Sequence, residues 1–549
     1  MADLQTSLTP TILATASVTG VALHLFLFKR VEVDKRPVST GASFIVAYFL
    51  LALALPSLSA EYNANLPWAL IVAGLAWWCL VLSLCVSILI YRAFLHPLRK
   101  FPGPFGARLS KFWALNKVLE TKCGWYRILD QLQQQYGDYV RTGPRELVIF
   151  DSAAITPILG FASVTGKGPF YDSMETSVST TRDHAFHRQR RKIWDLAFKQ
   201  SLADYAPRIE EFTSQLLSRI ARDGAKGPIL VNEVCIHYSY DVMSALAFGD
   251  PMGFIQGDSN AVANSVLNNI QNGVDAIGLL LHVPWLMGML TTFSWAIGPM
   301  RQWNEYSEGL VELRKKKRDP QPDLFGHLLD NTDDTRSGRS LLNSECRLIV
   351  GAGSDTTATA LTFIFVNLAL YPQWLQALRD EMDPIFATAS FECTRSRPVL
   401  DAVIQESMRL HPSVFFGSQR ETPAQGMRIG DMYIPGHTII SIAGYQVARD
   451  ERNFVRAKEF LPERWYSQPA LILNKGAYMP FLVGPFNCAG RNMAMMELRS
   501  VVARVACEFD ITFPPGMDFD AHDYFHRVKD HFIAGAPAQK LVFSKRVKD

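Results

Sequence analysis

Charge is scarce in this chain. Only 19% of its 549 residues are Asp, Glu, Lys or Arg, against 48% that are hydrophobic, which lies on the apolar side of ordinary soluble proteins. The formal net charge of +3 is too small and too dispersed to suggest a nucleic-acid surface. No G-x-G-x-x-G segment occurs, and the stretch from Gly160 to Gly168 has one residue too many before Gly166-Lys167 and a glycine where a phosphate-binding loop needs Ser or Thr. A nicotinamide, flavin or nucleotide site of its own is therefore excluded. Paired cysteines are missing too. Cys79 and Cys85 fall in one apolar run, and Cys123, Cys235, Cys346, Cys393, Cys488 and Cys507 are scattered without the spacings of a zinc site or a disulfide framework. Reduced thiols of this kind suit the cytosol. There is no repeat or low-complexity tract. The one strong basic run, Arg314 to Arg318, reads as a solvated helix end or loop, with a partner or lipid-headgroup site as the alternative.

The apolar excess is concentrated at one end. Three almost uncharged runs, 11–28, 41–60 and 67–90, are each long enough to cross a hydrocarbon core of about 30 Å. A cleaved signal peptide fits poorly, because Asp3 precedes the first run and Lys29 and Arg30 follow it. Lys29, Arg30, Lys35 and Arg36 lie between the first two runs, and Arg92, Arg99 and Lys100 follow the third. The positive-inside rule then places the first loop and everything after residue 91 in the cytosol. The first run is short and contains His24; if it only lies on the membrane, the later topology is unchanged. Residues 1–95 thus read as an anchor with three transmembrane helices. Three prolines make 96–104 a stiff hinge. From 105 to 549 helical patterns dominate, with short extended pieces at Glu146 to Phe150 and Thr438 to Ile442, so the fold is mainly α with small β-sheets. Asp330 to Arg339 reads as an exposed loop before a long helix.

Near the C-terminus, Phe481 to Gly490 (FLVGPFNCAG) sets Cys488 among glycines just before a run, Arg491 to Ala506, with helix-like apolar spacing. A helix N-terminus favours the deprotonated thiol, as a metal ligand requires; a buried, inert thiol is the bland alternative. The segment resembles the haem-binding loop of the cytochrome P-450 monooxygenases, F-x-x-G-x-R-x-C-x-G. Phe481, Gly484, Cys488 and Gly490 fit, and Phe486 stands where the family usually has a basic residue. A second segment, Gly351 to Thr357 (GAGSDTT), lies in an apolar stretch from Ser344 to Leu370. It is similar to the family's central helix, A/G-G-x-D/E-T. The alternative there is a buried helix whose polar side chains bond back to the backbone. Glu406 and Arg409 share a helix face, and Pro462-Glu463-Arg464-Trp465 looks like the family's P-E-R-F segment. His187 and Arg191 match its H/W-x-x-x-R pattern, Arg420 matches another position by its place in the order, and 96–104 resembles the hinge of microsomal members. The patterns occur in the family's order from about residue 97 onward.

The resemblance implies a cytochrome P-450 fold holding haem b, with Cys488 as the axial ligand. The protein would be an oxidoreductase that inserts one oxygen atom of dioxygen into an apolar small molecule. NADPH-derived electrons would come from a flavoprotein reductase, or from a cytochrome b-type donor. Ala352 and Gly353 would let the central helix approach the porphyrin, and Asp355 and Thr356 would guide protons. His187, Arg191 and Arg420 would hold the propionates, with extra weight because Phe486 carries no charge. Glu406, Arg409 and Arg464 would form a structural network. The substrate pocket would include Val414, Phe415, Phe416, Phe532 and Ile533. The anchor and the G-P-F-N-C loop look like those of fungal enzymes of secondary metabolism, held in the endoplasmic reticulum membrane with the catalytic domain in the cytosol. Two alternatives remain open: a reductase-independent haem-thiolate isomerase or dehydratase, and a non-enzymatic haem carrier or sensor.

Overall fold

The computed structural model describes residues 8–30, 36–58, 60–290, 292, 298–317, 323–388, 394–395, 397–415 and 417–547. They fall into two compact units. The first takes residues 1–115, 141–146 and 282–296, and the second takes the remainder. In the first unit the three apolar runs are helices over Leu8–Phe28, Pro37–Leu58 and Leu66–Leu95. Asn65 caps the third by accepting from the N–H of Trp68 at 3.1 Å. The first helix is packed against the third: a Cβ on Gly20 would stand 2.3 Å from the carbonyl oxygen of Leu80. His24 Nδ1 lies 2.7 Å from Ser87 Oγ, and Trp77 donates to the carbonyl of Phe44 at 3.0 Å. In lipid a polar side chain has no water to bond, so such internal partners and small contact residues hold helices together.

The prolines end the third helix as expected, and the segment that follows is a bound turn. Pro97–Lys100 is a short 3-10 helix capped by the His96 ring. Leu98 and Phe101 are buried, and the Arg141 N–H donates to the carbonyl of Pro102 at 2.7 Å. Gly103 has φ +155, and a Cβ there would meet the Arg141 carbonyl oxygen at 2.3 Å.

In the second unit, long helices surround a central one, Arg336–Leu370. It is apolar enough to span a membrane, yet 67% of its apolar window is buried in protein, against 11% to 28% for the N-terminal three. It is a core helix. It begins eight residues before the apolar run because Thr335 caps it, accepting from the Gly338 N–H at 3.1 Å; the expected loop therefore shrinks to the residues before Arg336. Packed around it are a basic helix, His184–Gly224, a polar-faced helix, Val231–Phe248, and the helices Pro398–Leu410 and Arg491–Glu508. The sheets are small and antiparallel. Gly166–Lys167 pairs with Arg420–Glu421, which pairs with Ile439–Ile442. Lys529–His531 and Ile533–Gly535 form a hairpin. The basic run is less solvated than expected: Arg314 is buried and donates to both carboxylate oxygens of Asp323, at 2.6 and 3.2 Å, because burial of a guanidinium requires a partner. Arg318 lies outside the described residues.

Candidate active site

The cysteine loop is held at both ends. The Cys488 N–H donates to the Phe481 carbonyl at 2.9 Å and the Asn487 N–H to that of Gly484 at 3.2 Å, which folds the chain back before helix Arg491–Glu508. Gly484 has φ +75, and a Cβ on it would stand 1.9 Å from the Leu159 carbonyl oxygen; only glycine fits. Gly490 differs. Its φ is −85, and the nearest atoms to a Cβ are Phe198 at 3.7 Å and Cys488 Sγ at 4.0 Å, so no protein contact requires it. The Cys488 side chain is exposed, whereas Cys123, Cys235, Cys346 and Cys507 are buried. Its thiol is held above the ordinary range by desolvation, with the N–H groups of Gly490 and Arg491 and the charges of Arg191 and Arg491 pulling the other way.

A cavity of about 600 Å³ opens beside the loop, walled by 158–165, the start of the basic helix, Arg420 and Gly484 to Asn487. Its wall carries Arg188, Arg191, Lys192 and Arg420 against one carboxylate, Asp195. Arg191 donates to the Asn487 carbonyl at 2.6 Å and to its side-chain oxygen at 2.7 Å, and pairs with Asp195 at 2.7 Å. His187 packs against Phe486 with ring centroids 4.3 Å apart, and is pushed down to about 4 by burial and the charges of Lys167, Arg191, His184 and Arg420. Lys167, absent from the candidates above, is the residue this site adds. It is buried, faces Arg420 across the strand pair, and is pushed down to about 7 by burial, Arg420 and Arg191. Its sequence signal was a lysine between two glycines; Gly168 has no room for a Cβ, which would sit 2.6 Å from Gln419.

On the central helix Ala352 is exposed and Gly353 faces the other way, where a Cβ would stand 2.6 Å from the methyl of Met243. The helix needs that glycine for its neighbour, Val231–Phe248. Asp355 is pushed up to about 7 by burial, and the Tyr240 hydroxyl beside it pulls it down. The Thr356 hydroxyl donates back to the Ala352 carbonyl at 2.7 Å, and the Thr356 carbonyl accepts from Ser413 at 2.7 Å.

Of the apolar pocket candidates, Val414 is exposed at 37% and Ile533 half-buried. Phe532, with φ 83, stacks on Phe170 at 6.1 Å. Phe415 is buried in an aromatic cluster, 4.9 Å from Tyr126 and 4.8 Å from Tyr445. Phe416 lies outside the described residues.

Glu406 is saturated by five donors. One oxygen accepts from Arg409 at 2.8 Å, Arg464 at 3.0 Å and the Leu461 N–H at 3.0 Å; the other accepts from Arg409 and from the Trp465 indole, both at 2.9 Å. Arg190, unforeseen, makes a second buried pair with Glu345.

A family model, Cytochrome P450, matches residues 104–529. The chain belongs to the cytochrome P450 family. It is 35% identical to Cytochrome P450 monooxygenase orf5 of Eupenicillium brefeldianum over 85% of this chain and 95% of that one. It is 32% identical to Cytochrome P450 monooxygenase FCK2 of Fusarium pseudograminearum over the full length of both. Identity to Tryprostatin B 6-hydroxylase of Neosartorya fischeri is 31%, over 97% and 98%. The protein is therefore an oxidoreductase, a P450 monooxygenase, and the non-enzymatic and isomerase alternatives are not favoured. The family implies a cysteine-ligated haem, dioxygen and electrons from a redox partner. An exposed thiol on a glycine turn, beside a cavity with a surplus of cations, fits a flat iron ligand that carries carboxylates.

Proposed function

We propose that Cys488 is the thiolate ligand of haem b in this P450, and that Arg191 and Arg420 meet its propionates, with neutral His187 in the same wall and Lys167 buried behind it. The observation that carries this reading is the exposure of Cys488, while the other described cysteines of the catalytic unit are buried, on a loop bound to the basic helix through Arg191 and Asn487. When bound, haem would supply dioxygen activation, with the thiolate's electron donation favouring O–O cleavage. The chain's own part is to orient and exclude water and to deliver protons. Thr356 holds its hydroxyl proton on the Ala352 carbonyl, from which rotation would turn it toward a water. Asp355, backed by Tyr240, would replenish that proton. Phe532, half-buried and backed by the buried Phe170 on which it stacks, offers apolar surface to the substrate.

The substrate we propose is an apolar small molecule of fungal secondary metabolism, supported by the hydroxylase among the relatives. The electron donor would be a NADPH-dependent flavoprotein reductase, or a cytochrome b-type protein, and the membrane that of the endoplasmic reticulum, with the catalytic unit in the cytosol. The test is the carbon monoxide difference spectrum of the reduced protein. A Soret band at about 450 nm reports thiolate ligation; Cys488→Ala should abolish it and Cys507→Ala should leave it. A normal band from Cys488→Ala would sink the assignment.

A further inference from the structure

Arg420 in the cavity wall and Lys167 behind it form a conflict of charge that the haem reading alone does not resolve. Lys167 and Arg420 face each other on antiparallel strands, a register that sets like charges side by side and is unfavourable by itself. Both are buried, and among the described residues neither is ion-paired. Lys167 donates to the carbonyls of Val178 and Ser179, and Arg420 to the carbonyls of Ser418 and Gln419 and the Ser418 hydroxyl. Both cations share the face of one ring, Phe486, and Lys167 also lies over Tyr171, 5.3 Å from its centroid. Lys167 Nζ is 4.8 Å and the Arg420 guanidinium carbon 5.0 Å from the centroid of Phe486. The rings of His187, at 4.3 Å, and His184, at 5.6 Å, also pack against it. An aromatic face attracts cations at such distances, and more strongly where water is excluded. Phe486 lines the cavity.

We propose that Phe486 is a positioning residue for the cationic wall: its ring, in place of a third charge, holds buried Lys167 beside Arg420, which lines the cavity where the propionates would lie. This rests on the haem reading of the cavity. A consequence runs against the family pattern. Phe486→Arg, which restores the usual base, removes the ring that holds Lys167 and Arg420 in place, so haem retention falls although a cation has been added.

The experiment uses the full membrane-bound holoenzyme and follows haem transfer to excess apomyoglobin. Phe486→Leu should lose haem about tenfold faster than the wild type, and Phe486→Arg should also lose it faster. Phe486→Tyr, which keeps the ring, should match the wild type. Phe486→Arg combined with Lys167→Gln should recover retention, because the new guanidinium then has room and one repulsion fewer. Acylation of Lys167 by an amine-selective reagent, read by peptide mass spectrometry, should rise in Phe486→Leu and not in Phe486→Tyr, a readout that needs no haem. Equal haem loss from Leu and Tyr variants, or tighter retention in Phe486→Arg, overturns the clamp while a wild-type band at about 450 nm keeps the haem reading. A wild type without that band overturns both.

Discussion

At the scale of single residues, the site is set by which groups the protein buries together. Asp355 is the clearest case. Desolvation disfavours its charged form and raises it to about 7, while the Tyr240 hydroxyl favours the charge and lowers it. An acid raised in this way keeps its proton below about pH 7 and loses it above. Product formed per NADPH should therefore fall as pH rises through about 7, with hydrogen peroxide taking up the difference. Tyr240→Phe removes the lowering influence and should move the fall to higher pH; Asp355→Asn should erase the dependence. A coupling ratio flat from pH 6 to 8, a range of about one unit either side of 7, in the unsubstituted enzyme would remove Asp355 from proton delivery. Thr356 was legible as a polar group in an apolar helix, but its hydroxyl bonds to the backbone as the bland reading anticipated, so its chemical role depends on rotation.

At the scale of elements, the pairing of Pro398–Leu410 with the turn Pro462–Trp465 is ionic in a dry place. Glu406, Arg409 and Arg464 are all fully buried, so removing the carboxylate leaves two guanidinium groups without a counter-charge. Glu406→Ala should cost on the order of 3–5 kcal/mol. Trp465→Phe deletes one neutral donor and should cost about 1 kcal/mol. Urea unfolding followed by the haem Soret band would grade the two; similar midpoints would mean the network is not what holds this side together. The residue types and the spacing of three positions made the Glu406–Arg409 pair readable. The five-fold saturation of Glu406 was not, because Leu461 and Trp465 reach it only after a separate turn folds against the helix. Phe415 shows the converse: its apolar character was plain, but the company it keeps was decided by Tyr126 and Tyr445.

At the scale of the whole molecule, the three apolar N-terminal helices lie in the first of the two compact units. The three N-terminal helices expose most of their apolar surface, as a segment facing lipid does and a soluble core does not. A chain beginning at Pro97 should keep its haem spectrum and be released from membranes by carbonate, whereas the full chain stays in the pellet. Retention of the shortened chain in the carbonate pellet would place a firm membrane contact beyond the three helices. Packing of the first helix against the third through Gly20 and the His24–Ser87 bond also makes it an integral part of the anchor bundle.

Local chemistry was readable from the sequence because it is carried by residue type and near spacing: apolar length for the anchor, a glycine turn before a helix for Cys488, and an acid and a base three apart for Glu406 and Arg409. Tertiary structure decided everything that depends on direction and company. It turned Gly353 toward Met243, put Lys167 opposite Arg420, and set Phe486 between them, since strand register and helix rotation are fixed by the packing of distant segments and not by neighbours in the chain.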